Sequence, residues 1–493
     1  MSTKNTPLNC VAFDCGNSSL RTVVGTFDGT RVVTKVVSQV PNATVNVNGF
    51  YYWDILYIFE SLKNGLREAH AQFDKIDSIG ICTWGVDFGL LDEQGFLISN
   101  PLSYRNTIGE EELSKLDKEQ RQWMFEKTGI QNNRINSLYQ LSGIKWNMPE
   151  IYGVSKSMLM IPDLLGYLFT GEMVTEFSIA STTQMLDVKT RNYVPEVLEK
   201  FGIQNHLLKP LREHGEVIGP LRESIAAELG IPVCPVICVP SHDTACAVTA
   251  VPTQEKDFIF ISSGTWSLIG TETSSPIINQ NVYDRDFANE GGVFNSITLL
   301  KNSTGMHILQ CIKKELELSG KSYTWSDIVK LAADFQGKVP TFDPNSSEIF
   351  NPVSMLTAIQ KLIGAKEINP AQIIASAYAS LAFSYRYAIE QIQEITGITY
   401  KSIYIVGGGS QNAYLNQLTA DFTGKTVISG PKEATSLGNI GVQLSAHVKN
   451  FDINEIRKMV KNSEKIDEFN PNANRSQNEI DHRYSDFKGC LPH

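Results

Sequence analysis

The chain has 493 residues, 42% hydrophobic and 19% charged, with a formal net charge of −10. That length exceeds one ordinary core, so two domains are expected. The acidic balance, without a Lys/Arg cluster, argues against a nucleic-acid surface. No apolar run approaches the roughly 20 residues of a membrane helix. The polar start Met1–Pro7 lacks a signal-peptide core. The 8 cysteines show no C-x-x-C spacing, and Cys234 and Cys238 flank an apolar run as buried thiols would. A reduced, cytoplasmic protein is expected.

In chain order, a first strand from Cys10 to Asp14 turns through Cys15-Gly16-Asn17-Ser18-Ser19 into a second, Leu20 to Phe27. Asp28-Gly29 then signals a hairpin. The Asp14–Ser19 turn offers a carboxylate, a glycine and successive N–H and O–H donors, which a triphosphate with Mg²⁺ requires. It reads equally as a turn held by Asx and Ser side chains. Ile55 to Phe73 is amphipathic and leads to a strand, Ile79 to Thr83. Trp84-Gly85-Val86-Asp87-Phe88 follows, either an apolar plate beside exposed backbone for a sugar or a core tryptophan beside a tight turn.

Further on, the apolar run Val233 to Val239 enters Pro240-Ser241-His242-Asp243-Thr244 and a small-residue helix. Asp243 then sits at the carboxyl end of a strand beside helix amides that favour an anion. His242 beside Asp243 invites a hydrolase-triad reading, but no G-x-S-x-G elbow exists and adjacent residues point different ways. His242 is a ligand donor or a satisfied core imidazole.

Phe258 to Ser263, then Gly264-Thr265, then Trp266 to Thr271 repeats the strand and hydroxyl turn of the first hairpin. Asn302 follows the apolar pair Leu299-Leu300, and Gln310 lies down a helix; each reads as a ligand contact or a solvated cap. Ile373 to Ile395 is helical and leads to the strand Ile403 to Val406. Gly407-Gly408-Gly409-Ser410-Gln411-Asn412 then lets backbone approach a ligand, as a wall against adenosine, or forms a packing turn. It does not spell G-x-G-x-x-G, so a dehydrogenase fits poorly. The charged C-terminal stretch, with Ile453 to Val460 as its best helix, is expected to be a surface cap.

The repeated pattern implies duplication into two similar α/β domains flanking a cleft. The expected halves are 1–248 and 249–493, with a boundary within 243–257 and an insertion over 101–235 on the first. Two hydroxyl turns with a carboxylate between them suggest phosphoryl transfer.

A set of motifs in fixed order carries a resemblance. It includes Thr83-Trp84-Gly85-Val86-Asp87-Phe88, Asn136-Ser137-Leu138-Tyr139-Gln140-Leu141, Ala180-Ser181-Thr182-Thr183-Gln184 and Ser241-His242-Asp243-Thr244-Ala245. It continues through Ser262-Ser263-Gly264-Thr265-Trp266-Ser267-Leu268, Asn289-Glu290-Gly291-Gly292, Leu300-Lys301-Asn302, Val406 to Asn412 and Glu433 to Gly441. Together these resemble the FGGY family of carbohydrate kinases, within the sugar-kinase, Hsp70 and actin superfamily. The resemblance implies actin/Hsp70-like (ribonuclease H-like) domains, the first for sugar and the second for nucleotide. It also implies ATP-dependent phosphorylation of a ketose 1-hydroxyl, that of L-rhamnulose in the nearest group.

Carried over by the resemblance, Asp243 is the general base, and Gly85, His242, Thr244 and Asn302 join it in holding the sugar. Asn17, Ser18, Ser19, Leu20, Arg21, Thr265, Gln310 and Gly408 contact ATP, and Asp14 orients Mg²⁺. Two departures stand out: Asn106-Thr107 after Ser103-Tyr104-Arg105, where the group has Asp, and Ser303-Thr304-Gly305-Met306-His307 after Asn302, where it has an apolar, Trp-containing helix start. They leave L-fuculose, another deoxy-ketose or a ketopentose open as substrate. A non-catalytic sugar- and ATP-binding regulator is the alternative of another class.

Overall fold

The computed structural model describes residues 7–318 and 320–492; the polar start at residues 1–6 lies outside the described residues. The chain forms two compact units that interleave in sequence. The first comprises Met1–Gln254, Glu272–Leu299 and Glu433–Glu464, and the second Glu255–Thr271, Leu300–Lys432 and Lys465–His493.

The first unit is built on a sheet ordered Val217–Pro220, Pro235–Ile237, Ser78–Thr83, Leu8–Cys15, Ser19–Phe27, Val32–Pro41. Ser19–Phe27 pairs antiparallel with both of its neighbours. At the Asp28 turn, Oδ1 accepts from the N–H groups of Thr30 and Arg31 at 2.9 and 3.0 Å. Leu8–Cys15 and Ser78–Thr83 pair in parallel, with Cys15 level with Thr83, and Thr83 bridges His242 in parallel. This register gathers Asp14, Thr83 and His242 at one edge, outside the carboxyl ends of the strands, where open α/β sheets hold ligands.

Central parallel strands are covered on both faces and so read as continuous apolar runs. Ile58, Leu62, Leu66 and Ala69 form the buried stripe of the helix Ile55–Gln72. They share a core with Phe13, Ile79, Ile81, Leu164 and Phe169. Asp54 caps that helix, accepting from the Tyr57 N–H at 3.1 Å. The helix Ala434–His447 lies against Leu8–Cys15 and Ser78–Thr83, and Gln443 Nε2 donates to the Val11 carbonyl at 3.0 Å.

Residues from Leu102 to Leu207 gather a separate core around Leu138, Leu141, Ile179 and Val197, and the chain rejoins the sheet at Val217–Pro220. The expected strand from Val233 to Val239 is shorter, Pro235–Ile237. Pro232, Pro235 and Pro240 lack the N–H needed to lengthen the ladder. All eight cysteines are free thiols, with Cys234 and Cys238 among the six that are buried.

The second unit repeats the opening motif. Ile259–Ser263 pairs antiparallel with Trp266–Thr273 and in parallel with Ser402–Val406. Thr426–Ser429 and Asp467–Phe469 extend the sheet beyond Ser402–Val406. The helix Pro370–Thr396 is capped by Asn369 and ends at Gly397 in a left-handed turn. The expected C-terminal cap divides between the units. Ile453–Ser463 packs on Ala434–His447 in the first, while Gln477–Lys488 covers Pro370–Thr396 in the second. There Phe383 stacks on Phe422, Tyr484 and Phe487 at 4.1, 5.6 and 5.8 Å, and Arg386 pairs with Asp481 at 2.9 Å. Among the described residues no helix is long and apolar enough to cross a membrane.

Candidate active site

Asp14 lies one residue before the end of the first strand, and Arg21 is its cross-strand partner. The Arg21 guanidinium binds Asp14 Oδ2 and Glu433 Oε2, and Ser436 Oγ donates to the same Asp14 oxygen at 3.3 Å. Burial pushes the Asp14 carboxyl up, Arg21 opposes it, and Asp243 and Glu433 add to the rise. Among the described residues no hydrogen bond reaches Asp14 Oδ1. That free oxygen on a carboxylate fits Mg²⁺, which keeps several waters and needs only one or two protein carboxylates beside phosphate. No cluster of three or more His, Cys, Asp or Glu suited to a metal occurs among the described residues.

The rest of the first turn divides. Gly16 N donates to Ser19 O at 2.9 Å, Ser18 is exposed, and Asn17 Oδ1 is buried without a partner. The Leu20 side chain lies in the core, so only its peptide is left for a ligand. Arg21 is committed to its two carboxylates.

Thr83 N donates to Ser241 O at 2.8 Å, which fixes the His242–Asp243 step against the strand end. His242 Nδ1 lies 3.2 Å from Glu290 Oε2, and Nε2 lies 3.5 Å from Asp243 Oδ1. Burial works against the imidazolium, but Glu290 and then Asp243 outweigh it and raise His242 to about 9. The Asp243 side chain is 38% exposed although walled by protein. Burial raises its carboxyl, with His242 opposing. Thr244 Oγ1 donates to Asp243 Oδ1 at 3.2 Å. A Cβ at Gly85 would stand 3.1 Å from Thr182 Cγ2 and 3.4 Å from His242 Nε2, so a bare backbone faces the imidazole there.

Trp84 resolves as a core residue. Its ring lies 4.2 Å from Trp53, and both indoles donate to Asp87 Oδ2, at 3.0 and 2.6 Å. A sugar plate at Trp84 is therefore excluded by burial, while Gly85 stays beside His242. Asn106 is likewise engaged: Oδ1 accepts from the Tyr51 N–H at 2.8 Å, and Nδ2 donates to Tyr51 O and Ser103 O at 2.7 and 2.8 Å. It holds backbone.

One segment fastens these pieces. Glu176 accepts from Ser241 N at 3.0 Å, Ser178 Oγ from His242 N at 3.2 Å, and Ser181 Oγ from Gly291 N at 2.9 Å. Thr182 Oγ1 accepts from Val86 N at 3.1 Å. Val86 is a β-branched residue at φ 68°, a conformation that needs such external bonds to persist.

In the second unit, Ser262 and Val406 are register partners, which sets the Ser263–Thr265 and Gly407–Gly408 turns at one edge. Thr265 O accepts from Gly305 N and His307 N, each at 3.2 Å, leaving its side chain exposed. The departing residues Ser303 to His307 thus shape the Thr265 turn; Ser303 Oγ and Thr304 N bind Asn345 Oδ1. Gly407 has φ 83°, where other residues are strained, and a Cβ at Gly408 would meet nothing within 4 Å. Gln310 and Asn302 are exposed, and both belong to this unit.

Residues 9–250 match the N-terminal domain, and residues 259–447 the C-terminal domain, of the FGGY family of carbohydrate kinases. The chain belongs to this family. It is 34% identical to a rhamnulokinase of Bacteroides thetaiotaomicron, over 98% of this chain and 99% of that one. It is 36% identical to a rhamnulokinase of Oceanobacillus iheyensis, over 92% and 96%. Among solved structures it is similar to a ligand-bound xylulose kinase from Lactobacillus acidophilus, with a TM-score of 0.83 at 16% identity over 98% of this chain and 96% of that one. A glycerol kinase from Plasmodium falciparum with ADP gives 0.78 at 16% identity over 98% and 97%. These last two likenesses bear on fold, and the fold is the mixed α/β two-domain one of FGGY kinases.

For this FGGY kinase, residue-by-residue reading missed two groups beside Asp243. Glu290 was visible only as part of the Asn289–Gly292 motif, without a role. Tyr104 is raised by burial, with Asp87 and Asp243 adding to the shift against Arg105. Neither contact is local in sequence, so spacing alone held no signal for them.

Proposed function

We infer that this FGGY kinase transfers the γ-phosphoryl group of ATP to the 1-hydroxyl of a ketose, L-rhamnulose before others, with Asp243 as general base. The full-length likeness to rhamnulokinases supports the sugar. The observation that carries the role of Asp243 is its accessibility. Asp14, Glu176 and Glu290 are 7%, 2% and 15% exposed against 38% for Asp243, and Asp14 and Glu176 are already bonded to other groups.

Phosphoryl transfer passes through a loose transition state, so alignment and charge neutralisation supply most of the rate. Asp243 takes the proton of the sugar hydroxyl, and its raised carboxyl is nearer the operating pH than an ordinary aspartate. His242, as imidazolium, donates to the sugar, with Gly85 leaving room beside it and Thr244 and Asn302 completing the sugar contacts. Asn17, Ser18, Ser19, Thr265, Gln310 and Gly408 contact ATP, with Leu20 and Arg21 limited to their peptide groups, since the Leu20 side chain lies in the core and Asp14 and Glu433 hold the Arg21 guanidinium. Asp14 would hold Mg²⁺, which when bound would neutralise charge on the phosphates. In this reading the unit that holds residues 1–248 is the sugar domain and the unit that holds most of residues 249–493 the nucleotide domain, with Glu272–Leu299 and Glu433–Glu464 folded into the first instead of following the expected boundary. Eight free thiols fit a reducing, cytoplasmic setting.

The test follows ADP release from Mg-ATP with L-rhamnulose, L-fuculose, xylulose and ribulose. The highest kcat/KM is expected for L-rhamnulose. A different best sugar corrects the substrate, and no sugar-stimulated release leaves a binding protein instead of a kinase.

A further inference from the structure

Glu176 takes no part in the chemistry proposed above, yet it is the most heavily bonded carboxylate near the site. Its side chain is 2% exposed. It accepts from Ser178 N and Ser178 Oγ, both at 2.6 Å, from Ile179 N at 2.9 Å and from Ser241 N at 3.0 Å. His214 Nε2 supplies a fifth contact. His214 Nδ1 in turn accepts from Phe294 N at 3.1 Å, so the imidazole carries its hydrogen on Nε2 and donates it to Glu176. Phe294 sits at φ 47°, four residues past Glu290, and that bond helps keep it there.

A buried carboxylate is costly unless its lone pairs are filled, and apolar residues pack such a space as well. What an apolar residue could not do here is bind backbone N–H groups from two distant segments. Glu176 grips Ser241 directly, and its partner Ser178 Oγ grips His242 N at 3.2 Å. These are the N–H groups of the two residues preceding Asp243. Through His214 the same carboxylate reaches the turn after Glu290. Of the charged and titratable groups facing it, His214 and the neighbouring Asp163 are closest. Burial first, and then the charge of Glu176, push Asp163 well above the usual carboxylate range. Burial also opposes the charge on Glu176, but its hydrogen bonds, His214 foremost, outweigh that and hold it below its ordinary value.

We propose that Glu176, acting through Ser178 and the Ser241 and His242 peptides, is a positioning residue that sets the aim of Asp243 and His242 toward the sugar. The proposal rests on the reading of Asp243 as base. A loop held loosely by about 1 Å loses on the order of a hundredfold in rate, whereas ATP contacts on the second unit are untouched.

The test uses the full-length protein with Mg-ATP and the best ketose of the panel, comparing E176Q, S178A and D243N with wild type. Expected for E176Q is a kcat loss of about tenfold to a hundredfold per folded molecule. Sugar KM rises, ATP affinity stays within about twofold, and S178A shows the same split more mildly. A merely structural role lowers the folded fraction and melting temperature but leaves kcat per folded molecule and both KM values at wild type, and that result overturns the proposal. If E176Q fails to fold, S178A decides alone: wild-type kcat and sugar KM overturn it. D243N separates the two readings. An active D243N removes Asp243 as base, while an inactive D243N beside wild-type E176Q and S178A removes only the positioning role.

Discussion

His242 Nδ1 stands 3.2 Å from Glu290 Oε2, a contact that keeps a buried imidazole charged beside the proposed base. Glu290, Asp243 and Glu176 all favour that charge against burial. The pair therefore sets a pH-dependent part of stability and, with His242 holding the sugar as proposed, a pH limit on sugar binding.

The first prediction concerns that limit. In wild type the alkaline fall of kcat/KM for sugar is expected near 9, where His242 loses its proton. Glu290→Gln removes the largest charge opposing burial, leaving Asp243 and Glu176, so the fall should move toward neutral pH. The linkage has a defined sign. A folded pKa of about 9 against an ordinary 6.5 contributes stability that is complete below 6.5 and lost as pH rises to 9. Urea midpoints taken across that window should decline in wild type and stay flatter in the variant. An unmoved alkaline limb would show that His242 is not the titrating group.

Asp243→Asn keeps the shape of the side chain and removes its basicity. Sugar phosphorylation should fall by about a thousandfold, while ATP binding measured by calorimetry is retained. Substantial remaining turnover would assign proton removal to another group.

Gly85→Ala adds one methyl against His242 and Thr182. Sugar KM should rise by about tenfold with ATP KM unchanged, read from initial rates with each substrate varied in turn. Equal loss in both would mean that the whole unit has shifted instead.

Phe383→Ala opens the aromatic stack under the C-terminal helix, where Phe383 is fully buried. About 3–5 kcal/mol of stability should be lost, measured by denaturant unfolding. A much smaller cost would mean that Phe422, Tyr484 and Phe487 close the gap.

Much of this architecture is legible before any coordinates, because it rests on local physics. Apolar runs that end in polar, glycine-rich steps marked the strand ends carrying Asp14, Thr83 and His242, and the parallel register brings those ends together. Asp28-Gly29 and the stripe from Ile58 to Ala69 are equally local signals. What stayed hidden depends on contacts between distant segments. Glu176 meets Ser241 across 65 residues, and nothing in the spacing of either foretells it. Trp84 fits a sugar plate or a core residue by sequence alone, and only its contact with Trp53, thirty-one residues away, decides for the core. Hydropathy extends the Val233–Val239 strand beyond its observed Pro235–Ile237 because it ignores the N–H groups that proline removes.

The segment from Glu176 to Thr182 binds peptide N–H groups of Ser241, His242, Gly291 and Val86. Peptide groups are the same whatever side chain they carry. In the proposed reading, side chains of the sugar wall, Thr244 for example, can therefore be rewritten without loosening what fastens it. This is a scaffold suited to acquiring new sugar preferences by few substitutions, and libraries aimed at another ketose should vary the wall and leave the fastening segment intact.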